Sequence, residues 1–234
     1  MHRAILLVLI LFIAASSSSY SAEQSLQWTL PQIGQGIIAY AKIYYDSTLE
    51  EDRSSEYGVT KAKTEPSFRD FENLFKMVEQ YFHNISIMIN IEVKSVEKIA
   101  NIGFQHGESL DANETLEKFK EYVAPESEGN NTIYYLFTRN PLLAAENEAD
   151  QAYKYMYNGT FQTFCSQMKS AVVVHHQSME SYLNAVAATG WTFGLTGYYP
   201  VEVDFFTMLW VFSYCPKSAC PAHCKQECPA KSGE

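Results

Sequence analysis

Residues 67–103 read SFRDFENLFKMVEQYFHNISIMINIEVKSVEKIANIG, and how this stretch is assigned decides the fold expected of the whole chain. Its apolar residues fall at Phe68, Phe71, Phe75, Val78, Phe82, Ile85, Ile89, Val96, Ile99 and Gly103, in steps of three and four with Glu92 breaking the register. That is a helical period. Ser67, with Asp70 three residues on, makes a capping-box start in which the hydroxyl accepts from a first-turn N–H and the carboxylate reaches back. One helix over this span would run about 55 Å. It needs apolar partners along its length, and each large side chain it buries contributes roughly 1.5–3 kcal/mol.

Upstream, Leu26, Leu30, Ile33, Ile37, Tyr40, Ala41 and Tyr44 recur in the same way and predict a second helix, firm over 36–45. The polar segment 46–66 reads as a connector that folds one helix back on the other. Residues 109–123 carry Leu110, Leu116, Phe119, Tyr122 and Val123 on one face, a short amphipathic helix. A Glu-, Gly- and Asn-rich break at 125–131 follows. Thr132 to Phe137 is β-branched and aromatic, as is 170–176, and both predict strands. Residues 142–157 and 179–188 read as helices. The aromatic runs 191–199 and 201–214, divided by Pro200, read as neighbouring strands. The expected class is α+β: long amphipathic helices packed together, then a small, mainly antiparallel sheet and a disulfide-bonded C-terminal tail. The expected divisions are a signal peptide at 1–22, a helical region at 23–125, an α/β region at 126–214 and a Cys-rich tail at 215–234.

The start, Met1-His2-Arg3 followed by an apolar run from Ala4 to Ala15 and then small residues, has the parts of a secretory signal and is too short to span a bilayer. Four N-glycosylation acceptors follow, Asn84, Asn113, Asn130 and Asn158, each with Ser or Thr two residues on. Together they predict a secreted, extracellular glycoprotein. A formal net charge of −10 argues against nucleic acid and anionic membrane surfaces as partners.

Cys165 stands apart from Cys215, Cys220, Cys224 and Cys228, which crowd the end with His223 among them. In an oxidising compartment these are disulfide candidates. A tie from Cys165 to the tail closes a longer loop than any pairing within the tail, and so constrains the unfolded chain more. Thiolate and imidazole together also suit zinc, although the spacings lack the usual two-residue pairs. Five cysteines leave one free or linked to a second chain, so a disulfide-linked dimer is one expected outcome.

No Gly-x-Ser-x-Gly elbow, His-Glu-x-x-His, phosphate-cradling Gly-rich loop or calcium loop occurs in the chain. The expectation is accordingly no catalytic residue, no metal ligand set and no cofactor. His175-His176 is the best ionisable pair, but adjacent strand residues point to opposite faces, which predicts one buried and one exposed imidazole. The aromatic concentration that includes Trp191, Phe193, Tyr198 and Tyr199 is the candidate ligand pocket, with core or interface as the competing account.

The order Trp191, Phe193-Gly194, Thr196-Gly197, Tyr199-Pro200, with Ser170-Ala171-Val172 and Ser95 to Ala100 upstream, resembles the amino-terminal part of the extracellular alpha-2-delta subunits of voltage-gated calcium channels. The resemblance implies a Cache-like half-domain and a role beside a membrane channel. The chain departs from that family in lacking an arginine between the Thr-Gly and Tyr-Pro pairs, and the Asp-x-Ser-x-Ser ligand set of a von Willebrand factor A domain. The function expected is that of a secreted, N-glycosylated, non-enzymatic protein that binds an extracellular protein or a membrane-protein ectodomain, an auxiliary-subunit-like regulator being one form. The alternative is a small-ligand carrier with an aromatic pocket near Trp191 and Tyr199.

Overall fold

The capping box forms. In the computed structural model Ser67 donates its N–H to Asp70 Oδ2 at 2.8 Å, Asp70 donates its N–H to Ser67 Oγ at 3.3 Å, and helix α1 (Phe68–Asn84) follows. The structure describes residues 31–53, 62–143, 154–177 and 182–217, and the account below concerns the unit that begins at Gln32. The expected signal peptide, Cys220, Cys224 and Cys228 lie outside the described residues.

Helix α1 does not continue to Gly103. Ser86 takes a left-handed φ of 66°, and the chain re-emerges as strand β2 (Asn90–Lys98). Ile85, Ile87, Ile89, Ile91 and Val93 alternate with a period of two and are β-branched, which suits a pleated ladder. Steps of four through the same residues mimic a helix. The predicted helix at 36–45 is likewise a strand, β1 (Ile38–Tyr45). Ile37, Ala39, Ala41, Ile43 and Tyr45 enter one core cluster and Tyr44 the other, which is strand alternation.

Strands β3 (Thr132–Thr138), β4 (Tyr157–Gly159) and β5 (Ser170–His175) complete a five-stranded sheet in the order β4–β5–β3–β1–β2. Strands β2, β1, β3 and β5 are parallel, and β4 pairs antiparallel with β5 at the edge. Ile38 stands opposite Asn90, Tyr40 opposite Thr132 and Ile133 opposite Ser170. Helix α1 lies between β1 and β2, α2 (Ala112–Val123) between β2 and β3, and α3 (Leu183–Phe193) and α4 (Glu202–Ser213) after β5. The expected α+β order of helices first and antiparallel sheet later is thus overturned: the fold is mixed α/β, with a mostly parallel sheet and interleaved helices. The sheet takes β1 and β2 from 23–125 and β3 to β5 from 126–214.

A parallel sheet must be covered on both faces. All of β3 is buried. Ile133, Tyr135 and Phe137 join Phe71, Phe75 and Phe82 of α1, Val186 of α3 and Met208 of α4 in one core. Tyr134 and Leu136 join Leu116 and Phe119 of α2 in a second core on the other face. The runs 191–199 and 201–214, expected as strands, form the end of α3, a turn and α4. Phe205, Met208 and Phe212 give α4 its buried helical stripe. Of the predicted helix 142–157, the described ends are strands at Leu142–Leu143 and Lys154–Tyr155, in a second sheet with Gln105–His106 and Ser109–Asp111.

A disulfide joins Cys165 to Cys215, 50 residues apart, and ties the segment after β4 to the end of α4. The Lys169 ammonium donates to the carbonyls of Val123 at 2.6 Å and Ala124 at 2.7 Å, and to that of Glu126, closing the C-terminus of α2. Among the described residues no helix is long and apolar enough to cross a membrane.

Candidate functional site: an aromatic cleft beside the edge strand

Helix α3 is buried almost all round because its sequence, LNAVAATGWTF, is apolar and small-residued. Thr189 is held inside it, its hydroxyl within 2.8 Å of Tyr135 Oη and donating to the Ala185 carbonyl at 2.7 Å. The helix ends at Gly194, whose φ of 93° is left-handed. A Cβ there would run into Thr207 of α4 and stand 2.9 Å from Gln162, so the position needs glycine twice over. The turn that follows is fixed by Asp204, which accepts from the Thr196 hydroxyl at 2.9 Å and, at the start of α4, from the Val201 N–H at 3.1 Å.

Between α3, this turn and the edge of the sheet lies a cleft of about 320 Å³. Residues 155–159 form one wall, Ala187 and Trp191 the other, and residues 196–198 contribute from the turn. Trp191 donates its indole N–H to the Gly159 carbonyl at 3.0 Å, while Asn158 Oδ1 accepts the Gly159 N–H at 2.9 Å. This end of the edge strand is therefore capped by side chains. The indole packs on Phe161 at 4.5 Å and Tyr157 at 6.2 Å between centroids. Burial, followed by the neighbouring phenol of Tyr198, raises the Tyr157 pKa, so the group is a neutral hydrogen-bonding phenol at physiological pH. Among the described residues no carboxylate, imidazole or thiol lines the cleft. It can hold apolar and aromatic groups and offer hydroxyls and an amide.

Of the four pocket candidates read from sequence, Trp191 and Tyr198 line this cleft. Phe193 is core, packed on Phe82, Phe164 and Phe212. Tyr199 is 71% exposed, beside Tyr81. The wall from Tyr155 to Gly159 was not found from sequence, because only sheet pairing brings it to α3. His175 and His176 do not converge: His175 Nδ1 lies 3.0 Å from the Asn140 carbonyl, and His176 is fully buried against Phe137. Asn84, Asn113 and Asn130 are exposed, whereas Asn158 is half-buried and donates to the Ala112 carbonyl at 3.0 Å and Asn113 Oδ1 at 2.9 Å.

No known protein family matches the chain, and no curated protein does. One fold does. The crystal structure of metalloproteinase-II from Bacteroides fragilis is similar at a TM-score of 0.50 and 10% identity, over 78% of this chain and 57% of that one. The chain therefore spans less than two thirds of that protein's length, and at this identity the likeness is one of fold.

The donor chemistry of the cleft can be set against that of a zinc site. Zinc proteases carry His-Glu-x-x-His on a helix, with the glutamate as general base, and one class extends it to His-Glu-x-x-His-x-x-Gly-x-x-His. With the glycine of that pattern set on Gly194, at the left-handed end of α3, the three ligand positions fall on Ala187, Trp191 and Gly197, and the base on Ala188. Ala187, Trp191 and Gly197 all line the one cleft. A methyl, an indole and a bare backbone offer no metal ligand. The cleft residues do not fit zinc, and among the described residues no group of three or more His, Cys, Asp or Glu is placed to hold a metal.

Proposed function

We propose that this chain is a secreted, N-glycosylated, non-enzymatic binding protein, and that its aromatic cleft receives an apolar side-chain cluster from a partner protein outside the cell. The observation that carries the reading is the cleft itself: Tyr155, Tyr157, Trp191 and Tyr198 converge on it, an aromatic lining suited to apolar side chains. Trp191 lines that cleft and caps the edge strand. The edge-strand cap at Gly159 disfavours strand addition and favours capture of side chains. An ectodomain of a membrane protein is one such partner, a channel being the case suggested by the resemblance in sequence.

The test places a photo-crosslinking amino acid at Tyr198 and exposes the glycosylated protein to its native extracellular fluid. Covalent capture of one protein, lost with Trp191→Ala while the thermal midpoint is retained, supports the reading. A co-purifying small molecule released by Trp191→Ala would instead establish the carrier alternative. Proteolysis of a denatured protein substrate that is abolished by a zinc chelator and restored by zinc would refute the non-enzymatic assignment.

A further inference from the structure

Helix α4 is apolar on both faces, and a helix apolar all round belongs in an interior. Its inner face is covered by the core. Its outer face presents Val203 at 66%, Phe206 at 63%, Trp210 at 57% and Tyr214 at 58% exposure, with Leu209 alongside. The geometry points to a second copy of this chain as the cover, the two α4 helices packing antiparallel about a two-fold axis.

Two features choose a second copy. The first is area: aromatic side chains bury about 150–250 Å² each, so with Tyr199 and Val201 the face exposes on the order of 700 Å². That exceeds what most monomers leave bare and is close to the roughly 800 Å² per partner of a standard interface. The second is register. Val203, Phe206 and Trp210 are spaced three and four apart, the seam of paired helices, and an antiparallel pair sets Phe206 of one copy on Trp210 of the other. Beside Trp210 and Tyr214 a hollow of about 360 Å³, walled by Phe164 and Gln162, receives the partner's protruding ring. Asn130, a glycosylation acceptor, stands on the rim of that hollow.

The experiment is light scattering and sedimentation on the purified glycosylated chain and on its Asn130→Gln variant. A dimer is expected, in both or only where the glycan is absent. Phe206→Glu and Trp210→Glu should each weaken association by roughly tenfold or more. Monomers from both starting proteins overturn the proposal. So does a dimer, covalent or not, that survives both glutamate substitutions. Failure of this dimer leaves the cleft reading untouched, because the cleft residues and the α4 face do not overlap.

Discussion

At His176 the ring is fully buried and edge-on to Phe137, 5.3 Å between centroids. Burial, then the charges of Arg139 and His175, lower its pKa to about 4. The unfolded chain binds this proton below about 6.5, whereas the folded protein does not until pH approaches its own lower value. Stability is therefore full above about pH 6.5 and falls as pH drops toward 4, by up to about 3 kcal/mol. Denaturant midpoints measured across that window should show the slope, and His176→Gln should flatten it by about one proton. Gly194 is the second residue with a sharp expectation. Gly194→Ala places a methyl against Thr207 in a left-handed backbone, and should cost about 2 kcal/mol or more by urea denaturation. An unchanged midpoint would mean that α4 yields freely there.

At the scale of the element, α1 begins and ends on single side chains. Ser67→Ala removes the cap and should lower stability by about 1 kcal/mol. Ser86→Gly relieves a left-handed serine and should raise it by up to about 1 kcal/mol. Because that change also deletes the Asn84 acceptor, calorimetry on unglycosylated protein is the clean comparison. The start of α1 was legible in sequence because a cap is a local device. Its end was not. Ile85 to Val93 satisfies a period of four and a period of two at once, and long-range pairing with β1 decides between them. The same holds for β1, whose Ile37, Tyr40, Ala41 and Tyr44 fit a helix until β3 lies alongside. Strands β3 and β5, rich in β-branched residues, were read correctly from composition. In the cleft, Trp191 and Tyr198 were visible as aromatic residues, but Ala187 and Gly197 carry no chemistry to notice. They join the cleft only because the fold brings α3 and its turn beside the edge strand.

Across the whole molecule, the sheet divides the interior into two cores, and the Cys165–Cys215 bond braces the side that holds α1, α3 and α4. By loop-closure entropy a crosslink over 50 residues contributes about 4 kcal/mol. The double variant Cys165→Ala, Cys215→Ala should lose about that much in denaturant unfolding, with near-ultraviolet ellipticity from the Phe164, Phe193 and Phe212 cluster reporting the change. A loss below about 1 kcal/mol would place the bond among those whose unfolded chain is already compact. Lys169 serves the opposite core, where its amine is occupied by three carbonyls at the end of α2. An amine bound in this way is a poor nucleophile until the helix end frays. Acylation of that one lysine, followed by peptide mass mapping over time, becomes a stopwatch for breathing on a single side of the sheet.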